Sequence, residues 1–294
     1  MRVTGLVRDP AGRFSWLKTG VLAGALVPAL VLLARALEHD LGARPITEAI
    51  HIAGLWAVRF LLLTLAVTPA RALLDWPRVV MLRRMLGVTT ACYASLHLLL
   101  FALDQKWDLA KVATEIALRF YLTIGFVTLL GLLALAITST DFWQRRLKQN
   151  WKRLHKIVYV LGVLALFHAA VQFKANIGPA VFLFGLFVWL LYWRRLPRRW
   201  QAKPWPILPL ALAAGLSAAV AEAVWYAVRN HVDPLMILGV NLDLSYGPRP
   251  AVQVLLAGVA LFVLVALVRL RRPRAALRPT RGTAPLTAGG TRAP

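Results

Sequence analysis

The sequence predicts an all-α, polytopic membrane bundle, and three observations predict it. Apolar residues make up 59% of the 294-residue chain, and the mean hydropathy is +0.65, the balance of a membrane protein and not of a soluble domain. Apolar runs recur along the whole chain at close to the ~20 residues an α-helix needs to cross a hydrocarbon core of about 30 Å. The charges, 35 Lys and Arg against 12 Asp and Glu, lie in the short stretches between those runs. There they set topology, so the net charge of +23 does not indicate nucleic acid.

Eight apolar segments follow in order: 18–37, 51–69, 85–103, 118–138, 157–173, 179–195, 205–227 and 250–270. Residues 1–20 are too polar for a cleaved signal peptide. The fifth and sixth segments are short and joined by KANIGP, a turn signal with Gly178 and Pro179. Residues 273–294 are rich in Pro, Gly, Thr and Arg and are expected to form a disordered tail. No internal repeat is evident, so an inverted-repeat transporter layout has no support. With alternating sides, 26 cations fall on the side of the N-terminus and 8 on the other. That bias puts both termini in the cytoplasm.

The single cysteine, Cys92, excludes an internal disulfide, a cysteine-rich metal site and a CxxCH haem attachment. Glycine-rich phosphate loops and HExxH are also missing, which argues against a nucleotide-binding module or a zinc hydrolase. The histidines carry more information. His39 and His231 fall in loops, whereas His51, His97, His155 and His168 lie in or at the ends of spans, where polar groups are costly and have partners. His97 stands 13 residues beyond the basic edge at Arg84, and His168 stands 13 beyond His155. Thirteen residues rise roughly 20 Å. His97 and His168 therefore reach one level on two parallel-running helices, as an axial pair on a non-covalent, b-type haem would. The bland alternative is hydrogen bonding between helices.

Three further residues stay open on sequence grounds. His155 lies at the basic edge, and 13 residues turn a helix 140° short of four full turns, so a straight helix points it away from His168. It is either a cofactor ligand or a structural residue. His51 either lines the haem pocket or marks the membrane boundary. Arg59, inside the second segment, meets either a haem propionate or water. The loop from Thr138 to Arg153 combines cations with Trp143 and Trp151, fitting an aromatic belt or a site for an anionic flavin.

GARPI (42–46), HIAGLWAVRFLLLTLAVTP (51–69), LRRMLGV (82–88), ASLHLLLFAL (94–103), YLTIG (121–125), TST (138–140) and WKRLHKIVYV (151–160) together resemble the MsrQ family. These are haem-binding membrane subunits of bacterial methionine sulfoxide reductase systems, within the wider ferric-reductase-like group. The resemblance covers about residues 15–196. It implies a six-helix core, a bacterial inner-membrane location, heme b and FMN as cofactors, and His97, His155 and His168 as iron ligands; this chain departs from the family by two extra transmembrane helices after that core. His51 and Arg59 match further positions of the family.

The implied role is a non-catalytic electron-transfer subunit. It would pass electrons from the quinone pool or a cytosolic flavin reductase to MsrP, a periplasmic molybdopterin enzyme. The implied division is a cytoplasmic N-terminus (1–17), a haem-binding core (18–196), a two-helix extension (197–270) and a tail (271–294). A transporter or proton channel with histidine relays is the alternative from another class.

Overall fold

The computed structural model describes residues 12–271 except 174–175, 242 and 246. The expectations for residues 1–11 and for the tail from 272 lie outside the described residues. Every element is a helix: α1 Trp16–Leu37, α2 Pro45–Leu73, a 3-10 turn Pro77–Met81, α3 Leu82–Asp104, α4 Leu109–Leu118, α5 Phe120–Ile137, α6 Asp141–Leu147, α7 Gln149–His155, α8 Val158–Gln172, α9 Gly178–Arg195, α10 Arg198–Gln201, α11 Ile207–Asn230, α12 Pro234–Val240 and α13 Pro250–Leu270. Proline opens α2, α12 and α13, where its missing N–H costs nothing. Asp108 caps α4 by accepting from the Lys111 N–H at 2.9 Å.

Among the described residues seven helical stretches are long and apolar enough to cross a membrane by length and composition. The sixth apolar segment, now α9, is not among them, because Trp, Tyr and two arginines crowd its end. Its contacts nevertheless carry it from side to side. At its start Gly178 lies against Pro250, the first residue of α13. At its end the Arg194 guanidinium donates to the Tyr159 hydroxyl (2.9 Å) and to the Leu65 carbonyl (2.6 Å). The protein is thus a multi-pass helical membrane protein, with seven candidate spans among the described residues against the eight apolar segments of the sequence.

The crossings have two sides. The basic side holds the start of α1 and the ends of α2, α5 and α9, with Arg84 paired to Asp141 at 2.7 Å. The opposite side holds the starts of α2, α5, α9 and α13. Helices α2 and α3 pack together most extensively, and α5 packs on α8. Helix α1 is pinned by Tyr93, whose hydroxyl donates to the Ala25 carbonyl and accepts from the Ala29 N–H beside Pro28. A side chain inserted there bridges the backbone groups that a proline disturbs.

Helices α11 and α13 pack on α9 through small residues. A Cβ on Gly215 would meet the Ala251 carbonyl at 3.0 Å, so backbones approach closely, as they must where lipid supplies no hydrophobic drive. On the opposite side the loop after α11 is anchored by a buried cluster. Glu222, 2% exposed, pairs with Arg249 at 2.7 Å and accepts from Asn241 at 3.2 Å. In the same loop the Ser245 hydroxyl and amide donate to Asp243 and hold its carboxyl below the usual range.

Candidate functional site

A cavity of about 250 Å³ lies among α2, α3, α5 and α8. Its deep walls are apolar, with Leu61, Leu129 and Leu132 among them, and its mouth on the opposite side is polar, with Thr47, Asp104, Arg119 and Gln172. His51, His97 and His168 all line it. The rings of His97 and His168 are 6.0 Å apart between centroids and stand at 89° to each other. The level match read from the sequence is therefore a side-by-side pair in space.

The two imidazoles are held alike. His97 Nδ1 lies 2.8 Å from the Ile50 carbonyl on α2, and His168 Nδ1 lies 2.8 Å from the Tyr121 carbonyl on α5. A carbonyl oxygen only accepts, so each Nδ1 carries the hydrogen and each Nε2 keeps a free lone pair. Behind each ring sits a glycine, Gly54 behind His97 and Gly125 behind His168. Both bonds span 47 residues of sequence. The arrangement is repeated once, although the sequence shows no repeat. Both glycines fall within the resembling stretches, but their role is invisible without the neighbouring helix.

The other predicted residues separate from this pair in different ways. His51, near the start of α2, sits at the mouth with its ring 6.3 Å from Phe173. Arg59 does not line the cavity. It faces a cleft between α1 and α2 with Gly24, Pro28 and Leu32, and its guanidinium lies 4.7 Å over the Trp56 ring. Helical phase explains this, since five residues turn about 500° and put Arg59 some 140° around from Gly54.

Nor does His155 reach the cavity. It stacks on Trp151 at 3.9 Å, its Nδ1 bonds the Trp151 carbonyl at 3.1 Å, and its Nε2 faces Ser139 at 3.4 Å. The chain turns at Lys156–Ile157 between α7 and α8, and the angular mismatch with His168 stands. Among the described residues no group of three or more His, Cys, Asp or Glu is arranged to hold a bare metal ion.

Arg119 is the cation the sequence reasoning passed over. It sits where the chain is extended between α4 and α5, at the cavity mouth. Glu115 pairs with it at 2.5 Å, and it donates to the Tyr121 hydroxyl at 3.3 Å. A cation at the start of a span, next to a histidine-lined cavity, was the available signal.

Residues 53–166, which include His97 and Gly54 and Gly125, match the family described as ferric reductase like transmembrane component. A protein of Xanthomonas euvesicatoria pv. vesicatoria (strain 85-10), named "Protein-methionine-sulfoxide reductase heme-binding subunit MsrQ", is 43% identical over 184 residues, 60% of this chain and 84% of the relative. Proteins of the same name from Xanthomonas campestris pv. campestris (strain B100) and Azospira oryzae (strain ATCC BAA-33 / DSM 13638 / PS) are 42% identical over 184 residues and 36% identical over 198 residues. They cover 60% and 66% of this chain, and 84% of each relative. The chain belongs to the MsrQ family. No solved structure matches it.

Proposed function

We propose that this chain is the electron-transfer subunit of a methionine sulfoxide reductase system and that it carries a b-type haem between His97 and His168. The observation that carries this reading is the pair of imidazoles, each with Nδ1 tied to a carbonyl, lining one cavity from two helices. The residues fit the group. Two nitrogen–metal bonds of about 2 Å each, plus about 1 Å from each nitrogen to its ring centre, sum to roughly 6 Å, against 6.0 Å between the centroids. The apolar walls suit a porphyrin face, and Arg119 supplies a cation for its carboxylates at the mouth. His51 lines the same pocket near the mouth and borders the haem.

When bound, the haem supplies reversible one-electron chemistry, and two nitrogen ligands favour electron transfer over oxygen binding. The chain's own work is to orient the two rings, fix their tautomers and exclude water with Leu61, Leu129 and Leu132. These levers set a haem's potential. The chain itself performs no bond chemistry on methionine sulfoxide.

The cation asymmetry supports an orientation with both termini in the cytoplasm of a bacterium's inner membrane. The cavity mouth then opens to the periplasm, where an MsrP-like reductase would collect electrons. Donors reach the basic side. Trp143, Arg145, Arg146, Trp151, Lys152 and Arg153 there support a contact with FMN or a cytosolic flavin reductase, and quinones reach the same bundle from the lipid. His155, stacked on Trp151, lies at that entry. As a ligand to a second iron it would need an opposing histidine, and its ring contacts are with Trp151 and Ser139. Arg59, turned to the α1–α2 cleft, serves there and not at a propionate.

Residues 18–196 form the haem-binding core in this reading, and residues 197–270 form an extension that braces α9. A proton-relay role is disfavoured by the two Nδ1–H groups being tied to backbone carbonyls, which cannot pass a proton on. The experiment is reconstitution: purified protein in liposomes, reduced from the basic side, should reduce an MsrP-like partner outside. Absence of transfer with haem-loaded protein would refute the electron route.

A further inference from the structure

We propose that Gly54 and Gly125 are positioning residues that lock the imidazoles of His97 and His168 as Nδ1–H tautomers with perpendicular planes. They thereby set the magnetic signature and the potential of the iron between them. The inference rests on the haem reading and adds to it the device that orients the ligands.

The argument starts from helix geometry. Ile50 stands four residues before Gly54, and Tyr121 four before Gly125. In an α-helix the carbonyl of residue i bonds the N–H of residue i+4, and the side chain at i+4 leans back over that carbonyl. With no side chain at i+4, a bulky ring on a neighbouring helix can come in directly over the backbone and reach the carbonyl. At both sites that side chain is missing, and at both an imidazole Nδ1–H donates to the carbonyl at 2.8 Å.

The clearances leave no room for anything larger. A Cβ on Gly54 would lie 2.9 Å from His97 Nδ1 and 3.1 Å from its Cε1. A Cβ on Gly125 would lie 2.7 Å from His168 Cε1 and 2.8 Å from its Nδ1. Either ring would have to turn or retreat, and the bond to the carbonyl would lengthen. Both glycine–histidine pairs are 43 positions apart (54 and 97, 125 and 168), so the device is built twice.

The consequence is spectroscopic. The rings stand at 89°, so each imidazole donates π density to a different iron d orbital of the near-degenerate pair. Crossed axial planes give a strongly anisotropic low-spin ferric signal in electron paramagnetic resonance, whereas aligned planes give an ordinary rhombic one. A carbonyl partner on Nδ1–H makes the ring a stronger donor and favours the ferric state, which lowers the potential.

The test compares the full-length purified wild type with Gly54→Ala, Gly125→Ala and, as control, Gly87→Ala. At Gly87 a Cβ meets only the Thr64 methyl, at an ordinary 3.7 Å. The wild type should show the anisotropic low-spin signal. Gly54→Ala and Gly125→Ala should move that signal toward the rhombic type and raise the midpoint potential, or release haem from folded protein. Gly87→Ala should match the wild type in both readouts.

A rhombic wild-type signal overturns the proposal without any variant. So do Gly54→Ala and Gly125→Ala proteins with wild-type signal and potential. In both cases a haem that disappears in His97→Ala and His168→Ala leaves the haem reading standing. A wild type with no low-spin haem overturns both.

Discussion

Two histidines each spend one ring nitrogen on a backbone carbonyl of the adjacent helix, and both line one shared cavity. His155 bonds the carbonyl of Trp151, one turn back on its own short helix. That difference separates the roles. His155→Ala should leave the haem of the His97–His168 pair in place, with its absorbance unchanged in the purified protein. Loss of that haem on a par with His97→Ala would tie His155 to the site. Arg119 is exposed, so solvent screens its contribution. Arg119→Ala should weaken haem retention several-fold in a competition with apomyoglobin, and an unaltered rate of haem loss would remove it from the site. The sequence discloses the histidine pair because equal distances from two basic edges survive as equal depth. Arg59's true direction was also computable from 100° per residue. The work of Gly54 and Gly125 was not, because close approach is a property of two helices and not of one.

At the scale of elements, each crossing announces itself by hydropathy, and its ends follow from proline and capping residues. Helix α9 shows the limit. Its composition falls short of a free-standing span, and its neighbours supply what it lacks. Trp189 donates to the Ile207 carbonyl at 3.3 Å, and Arg194 ties it to α2 and α8. The extension's own anchor is Glu222, buried and bonded to both Arg249 and Asn241. Breaking a buried pair costs about 3–5 kcal/mol, and less where one partner is partly exposed, as Arg249 is. Glu222→Ala should therefore destabilise the loop between α11 and α13 by about 2 kcal/mol. Limited proteolysis should cut residues 231–249 faster while the haem spectrum stays intact. Unchanged cleavage would show that the cluster does not hold the loop. No sequence signal joined these three residues, because 19 and 27 positions separate the carboxylate from its partners.

For the whole molecule, the polar mouth and the cation bias point the same way. The cavity opens on the side with few cations, where Asp104 and Arg119 flank it. The basic side gathers Arg145, Arg146, Lys152 and Arg153 with Trp143 and Trp151. Cys92 is the only cysteine, so a Cys92→Ser background permits single-cysteine mapping. Cysteine at Gln149 should be labelled by an impermeant maleimide only from the cytoplasm, and cysteine at Gln105 only from the periplasm. The reverse pattern would invert the proposed electron route.

The central proposal is an iron porphyrin held by His97 and His168. The most direct measurement is pyridine-haemochrome quantification with dithionite-minus-oxidised spectra on purified wild-type, His97→Ala and His168→Ala proteins from haem-replete cells. The wild type should carry b-type haem with sharp reduced bands, and each alanine variant, folded and at equal yield, should lose it. A colourless wild type, or variants with the full wild-type spectrum, would contradict the account.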